Sequence, residues 1–207
     1  MAKFDLFYPV GKPNLRVTNP FGANPTVNGR YIYKDMGMIG HNGIDIWATD
    51  GTPVYAAHDG IVSFASYDSN GGLGVVLLTK EPFEYVVEGE VRSSYFKSIY
   101  WHLKEGSIKV ALDQDIKAGD LLGLADNTGV SNGNHLHFGL KPCAKGENKW
   151  TWMNSEQDNG YFGAIDPAQF WNRFYAQDAK VALGIMEKMV NFLSQAVELA
   201  KAKKINL

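Results

Sequence analysis

Through the middle of the chain, apolar positions come in short runs broken by glycine, proline, asparagine and aspartate, the rhythm of strands joined by turns. Asp50-Gly51 turns the chain into Val54-Tyr-Ala-Ala57. His58-Asp59-Gly60 turns it again and Ile61-Val-Ser-Phe-Ala65 runs back, so residues 50–67 are predicted as a hairpin. Asn70-Gly-Gly72 leads to Gly74-Val-Val-Leu-Leu-Thr79, a buried strand. Tyr95 to Leu103 is aromatic and β-branched, hence a strand. Ile108 to Leu124 holds two short pieces around the tight turn Lys117-Ala-Gly-Asp120, and a turn-rich loop, Asp126 to Asn134, delivers the strand that starts at His135. From about Tyr175 the period changes. Ile185, Met189, Phe192, Leu193, Val197 and Ala200 recur at spacings of three and four, the mark of one apolar stripe on a helix. Lys201-Ala-Lys-Lys204 puts cations at its C-terminal end, where the helix dipole favours them. The pattern predicts a mainly β (α+β) fold with an antiparallel sheet core and a C-terminal helix.

Between these elements lie three stretches of different character. Residues 1–40 are punctuated by Pro9, Gly11, Pro13, Asn19-Pro20, Gly22, Asn24-Pro25 and Asn28-Gly29, and are expected to wrap the domain edge and approach the site from one side. They carry Tyr31 and Tyr33. Residues 80–94, with Glu81, Glu84, Glu88 and Glu90, read as a solvated excursion between strands, an extended hairpin. Residues 150–162 are a polar loop decorated by Trp150, Trp152, Tyr161 and Phe162. The chain divides into residues 1–170, a catalytic domain with its wrapping segment, and residues 171–207, a helical appendage expected to dock or to mediate self-association.

Composition narrows the class. With 207 residues, 45% hydrophobic and 20% charged, the chain is long enough for one well-cored domain. Its 22 glycines suit turn-rich β structure. A net charge of −2 implies no general attraction to nucleic acid. The single cysteine, Cys143, excludes an internal disulfide and reads as a spectator thiol, though export as such stays open. No signal peptide is read at the N-terminus, and no stretch approaches the roughly 18 apolar residues of a membrane span.

Candidate chemistry lies in the histidines. His135 and His137 sit two apart in an apolar run, so both imidazoles leave the same face of a strand. His41 and Asp45, in His-Asn-Gly-Ile-Asp, are four apart and also share a face. His102 ends the Tyr95–Leu103 strand. His58, in a turn, is expected to be exposed and without a role. Four of the five histidines and one aspartate thus fall at strand ends. A catalytic zinc needs three protein ligands and keeps a fourth position for water, so these five candidates are two more than it requires; the surplus would be histidines that handle protons. No Gly-x-Ser-x-Gly elbow, glycine-rich phosphate loop or His-Glu-x-x-His pair is present.

His41-Asn-Gly-Ile-Asp45, Gly51-Thr-Pro-Val-Tyr-Ala-Ala57, Asp59-Gly-Ile-Val62, Trp101-His-Leu103 and Gly129-Val-Ser-Asn-Gly-Asn-His-Leu-His-Phe138 resemble the lysostaphin-type zinc metallopeptidases, in that family's order and spacing. The resemblance covers about residues 15–142 and a closing Ile165-Asp-Pro167. It implies an open-grooved β-sheet peptidase core with zinc held by His41, Asp45 and His137. It implies that His102 and His135 are the catalytic pair, with Tyr31 or Tyr33 stabilising the oxyanion. It also implies an endopeptidase cutting peptides of bacterial peptidoglycan, acting at the cell wall as a phage lysin, a virion part or a mature exported chain. The alternative is a non-hydrolytic peptidoglycan-binding or amidase-activating module of the same fold, which loss of a ligand would have favoured. Where the family usually carries an acidic residue after the phenylalanine, this chain has Gly139, a departure that touches the surroundings of the metal rather than its ligands.

Overall fold

The computed structural model describes residues 4–11, 15–87, 89–145, 152–154 and 159–202. In chain order the strands are β1 (Leu6–Tyr8), β2 (Val17–Asn19), β3 (Thr26–Val27), β4 (Arg30–Tyr31), β5 (Ile44–Trp47), β6 (Pro53–Tyr55), β7 (Gly60–Asp68) and β8 (Gly72–Leu78). Then come β9 (Phe83–Val87), β10 (Glu90–Leu103), β11 (Asp115–Ile116), β12 (Leu121–Leu124), β13 (His135–Lys145), β14 (Trp152–Asn154) and β15 (Trp171–Tyr175), and the long helix α1 (Ala176–Ala202). The principal sheet runs β11-β7-β8-β10-β13-β5-β2, with β9 pairing β10 and β14 pairing β13. Every pairing in it is antiparallel.

The period-2 rule decides which face is buried. Along β10, Phe96, Ser98 and Tyr100 are buried while Lys97, Ile99 and Trp101 are half-buried on the other face. Leu136, Phe138 and Leu140 of β13 and Ile44 and Ile46 of β5 continue the buried side. Phe4 stacks on Phe96 at 4.3 Å and meets Phe170 edge-on at 5.4 Å, so the two ends of the domain close one side of the core. The N-terminal segment does wrap: β1 pairs in parallel with β15, and β2 forms the far edge of the sheet beside β5. The face bearing His137 carries Gly139 opposite Ile99 and Lys141 opposite Lys97.

One expected element fails. Residues 50–67 are not a hairpin: β6 pairs with β12, and β7 pairs with β8 and β11. The Ala56 N–H donates to the Asp120 carbonyl and the Gly119 N–H to the Ala56 carbonyl, so β6 ends against the 117–120 turn instead of folding back on β7. His58 therefore sits at a junction of two sheets, buried at 5% exposure, and not in an exposed turn. Its Nε2 lies 2.7 Å from Ser98 Oγ, and its Nδ1 is 2.8 Å from the Asp59 carbonyl. Ser98 shares a 3.2 Å hydrogen bond with the Tyr100 hydroxyl, which accepts the Ala57 N–H at 2.8 Å. This buried chain links both sheets.

Phe83–Val87 of β9 pairs with Glu90–Ser94 of β10, the hairpin expected within residues 80–94. The helix begins within a residue of its expected start. Trp150 lies outside the described residues.

Candidate metal centre

Sheet register assembles the site. Asn19 stands opposite Asp45, Asp45 opposite His137, and His137 opposite Trp101, so one row across β2, β5, β13 and β10 carries the centre. His135 lies two residues before His137 and shares its face. His41 precedes β5 in a loop that the N-terminal segment pins: the His41 N–H donates to the Ala23 carbonyl, and the Gly22 N–H to the His41 carbonyl, both at 2.8 Å.

His41 Nε2, Asp45 Oδ1 and His137 Nδ1 form a near-equilateral triangle. The sides are 3.0 Å between the two nitrogens, 3.2 Å from His41 to Asp45 and 3.1 Å from His137 to Asp45. Tetrahedral zinc with ligands at about 2.0–2.2 Å demands ligand atoms about 3.3 Å apart, so an ion fits this set with slight expansion. Two imidazoles and one carboxylate also match the donor chemistry of a catalytic zinc that leaves one position open. Gly43 makes the approach possible. An added Cβ there would lie 2.7 Å from His137 Cε1 and 2.7 Å from the Phe138 carbonyl oxygen.

Three imidazoles anchor one nitrogen on backbone and so present the other. His41 Nδ1 is 3.2 Å from the Pro20 carbonyl, His102 Nδ1 is 2.7 Å from that of Thr128, and His135 Nδ1 is 2.7 Å from that of Gly133. Each carbonyl can only accept, so each fixes the tautomer with the far nitrogen unprotonated in the neutral ring. His102 and His135 face each other with ring centroids 4.6 Å apart, and His102 lies 6.1 Å from His137.

His102 reaches this side of the sheet against the alternation. Counting in twos from Phe96, Ser98 and Tyr100 sends it into the core. The β10–β8 ladder shifts register between Tyr100 and Leu103, and His102 takes a left-handed backbone with φ 63. That conformation costs on the order of 1–3 kcal/mol in a non-glycine residue. It is held by bonds on both sides: the His102 N–H donates to the Gly71 carbonyl, and the His102 carbonyl accepts the Asp126 N–H.

The electrostatics follow from burial and proximity. Burial alone would raise the Asp45 carboxyl, but the ring nitrogens of His135, His137 and His41 beside it, which donate to it when those rings are protonated, outweigh burial and hold the group far below the usual carboxylate range. Burial lowers His102 to about 4, helped by the neighbouring His135 and His137 and opposed by the Thr128 carbonyl. Burial also lowers His137. His135 is disfavoured as a cation by burial, yet the Asp45 carboxylate raises it overall.

Of two supporting residues, Asn19 carries no signal in the sequence, and Tyr33 is one of two tyrosines between which the sequence does not choose. Asn19 Nδ2 donates to Asp45 Oδ2 at 3.2 Å and to the Tyr33 hydroxyl at 2.8 Å. It occupies the carboxylate oxygen that faces away from the triangle and leaves Oδ1 for the metal. In sequence it is one more turn asparagine before proline. Tyr33 is 9% exposed and stacks on His41 at 5.3 Å, whereas Tyr31 is 53% exposed. Burial, with the Asp45 charge, pushes the Tyr33 phenol up to about 12. His58 is no part of the centre. Cys143 is fully buried, and burial raises its thiol to about 12, which fits an inert residue.

The profile of peptidase family M23 matches residues 39–149, more than half of the chain. The chain belongs to peptidase family M23. This M23 chain is 33% identical over 137 residues to the peptidoglycan DD-endopeptidase ShyB of Vibrio cholerae, covering 63% of this chain and 26% of that protein. It is 31% identical over 98 residues to the glycyl-glycine endopeptidase ALE-1 of Staphylococcus capitis, covering 47% and 24% respectively. The M23 chain thus spans about a quarter of the length of these curated relatives. Among solved structures, it is similar to the catalytic domain of lysostaphin from Staphylococcus simulans, with a TM-score of 0.52 and 25% identity, covering 75% of this chain and 91% of that one. The lysostaphin-like M23 fold accounts for the antiparallel sheet; α1 is additional to the family match.

Proposed function

We propose that this M23 chain is a zinc-dependent endopeptidase that hydrolyses peptide bonds of bacterial peptidoglycan. The observation that carries this reading is the triangle of His41, Asp45 and His137 ligand atoms beside the facing pair His102 and His135. His41 Nε2, Asp45 Oδ1 and His137 Nδ1 would hold the ion, which when bound would supply Lewis acidity toward the scissile carbonyl and toward water. His102 is neutral near pH 7, with Nε2 free to accept a proton because Nδ1 is committed to Thr128. It takes the proton of the attacking water and returns it to the leaving amine. His135, kept more basic by Asp45, supplies positive charge to the developing oxyanion. Tyr33 stays protonated while accepting from Asn19, so its own proton is available for the oxyanion, and we assign that role to it over Tyr31.

The substrate class rests on the relatives, two of which are described as peptidoglycan or glycyl-glycine endopeptidases. Lys97 and Lys141, paired on the sheet face that carries His137, suit stem peptides with free carboxylates. The catalytic unit is residues 1–170 and the appendage 171–207. The site of action is the cell wall, reached as a phage lysin, a virion part or an exported chain. No helix among the described residues is long and apolar enough to cross a membrane. The C-terminal helix mediates self-association.

The test is digestion of purified peptidoglycan of D-Ala–diaminopimelate and glycine-bridged chemotypes, with and without a chelator, followed by mass identification of released peptides. Chelator-sensitive cleavage restored by zinc is expected. His137→Ala should lose zinc, and His102→Ala or His135→Ala should keep zinc and lose turnover. Binding to the polymer with no chelator-sensitive cleavage would instead indicate a non-hydrolytic module.

A further inference from the structure

The helix α1 runs 27 residues, about 40 Å at 1.5 Å per residue, and among the described residues it meets β1, β15 and the 117–120 turn near its start. Ala176 is buried, its carbonyl lies against Gly119, and Lys180 pairs with Asp120. Beyond Lys180, ten large apolar side chains are 43–71% exposed.

Nine of the ten form a doubled seam, wider than the single stripe expected from spacing; Val181 lies outside it. Leu183, Met186, Val190, Leu193 and Val197 fall at alternating spacings of three and four, the a/d repeat of a coiled coil. Ile185, Met189, Phe192 and Leu199, with Ala182 and Ala196 completing the register, form a second such repeat. At about 100° per residue the centres of the two seams are about 100° apart. Glu187, Lys188, Asn191, Ser194, Gln195 and Glu198 occupy the remaining arc.

We infer that α1 closes a bundle with the same helix from other copies of this chain, each helix packing against two neighbours through its two seams; this rests on self-association through that helix and adds its number and geometry. A helix pair uses one seam and leaves the other in water. In closed rings of three, four and five helices each meets its neighbours in directions about 60°, 90° and 108° apart; the offset excludes three, and of the two sizes it fits, four is the commoner bundle. The area agrees. The nine seam side chains at about 60–120 Å² each give about 540–1,080 Å² per chain, at or above the largest ordinary patch of a monomer and in the range of a stable interface. Charge argues against a lipid surface. Residues 176–198 carry Asp178, Glu187 and Glu198 against Lys180 and Lys188, and the excess of cations is confined to Lys201, Lys203 and Lys204 at the C-terminal end, so no basic face runs along the seams to meet anionic lipid.

The experiment is light scattering coupled to size exclusion on the full chain at tens of micromolar, with zinc present. A mass of about 92 kDa, four times the 22.9 kDa chain, is expected. Val190→Asp with Leu193→Asp, and separately Ile185→Asp with Phe192→Asp, should each lower the mass while zinc content and the β-sheet circular dichroism stay unchanged. A dimer in the parent protein would leave self-association standing and overturn the doubled-seam bundle. A monomer would overturn both, as would a monomer that sediments with phosphatidylglycerol vesicles. Loss of peptidoglycan cleavage with the bundle mass intact would count against the enzymatic reading alone.

Discussion

Replacing Gly43 by alanine is the sharpest probe of the centre, because one methyl group tests the triangle without touching a ligand. The Gly43 backbone is not left-handed, so the cost is steric alone. The new Cβ would meet His137 Cε1 at 2.7 Å, His137 Nε2 at 2.8 Å and the Phe138 carbonyl oxygen at 2.7 Å. Carbon contacts ordinarily stand at about 3.5–4.0 Å, so something must retreat by about 1 Å. Phe138 is fully buried in β13 and its carbonyl is fixed backbone, which leaves the His137 ring to move. A shift of about 1 Å at one corner far exceeds the roughly 0.2 Å tolerance of metal–ligand distances. Zinc affinity should fall on the order of 100-fold, and the overpacked metal-free protein should lose about 1–3 kcal/mol. The first loss removes about 2.7 kcal/mol of zinc-linked stabilisation at fixed free zinc. Competition against a chromophoric chelator reads the affinity, and thermal unfolding with and without zinc reads the linkage. A Gly43→Ala protein with parental zinc affinity and the same zinc-induced rise in melting temperature would refute the reasoning.

Asn19→Ala should free Asp45 Oδ2 and weaken zinc binding about 10-fold or more, with little change in metal-free melting; unchanged affinity would remove Asn19 from the centre. For His58, burial lowers the imidazole pKa, only partly offset by the Asp59 carbonyl and carboxylate. Its contribution to stability is therefore complete above about pH 6.5 and is lost as pH falls toward the folded value, by up to about 1.4 kcal/mol per pH unit. Urea unfolding between pH 7.5 and 5 should show this slope, and His58→Gln should flatten it; parallel slopes would sink the assignment. At Gly74 a Cβ would lie 1.7 Å from Trp101 Cε3, so Gly74→Ala should expel the indole, shift tryptophan fluorescence and destabilise the sheet by at least about 1–3 kcal/mol. Adding Trp101→Ala should then cost less than its single-variant effect; simple additivity would show that the two do not touch.

Local rules reached some of this structure and not the rest, for identifiable reasons. His135 and His137 on one face, and His41 with Asp45, follow from spacing alone, and register turns them into one row. His102 defeats the same rule, since its left-handed backbone reverses the parity that Phe96, Ser98 and Tyr100 establish. The hairpin reading of 50–67 failed because β6 finds its partner in β12, far along the chain, and a His-Asp-Gly turn looks alike whether it reverses a strand or joins two sheets. His58 was misjudged with it. Asn19 and Tyr33 act through long-range contacts that no nearby pattern announces. On the helix, spacing showed where apolar residues recur, but only the exposure of Leu183, Met186 and Val190 showed how wide the band is.

The 14-residue strand β10 serves two ladders in succession. Its first residues, Glu90 to Ser94, pair with β9, whereas Lys97 to Tyr100 are clamped between β8 and β13, two residues before His102. The register that aims His102 is counted from the clamped half. The outer hairpin can therefore lengthen, shorten or change its charge without moving the histidine, because the length of the strand and the aim of its end are set by different partners.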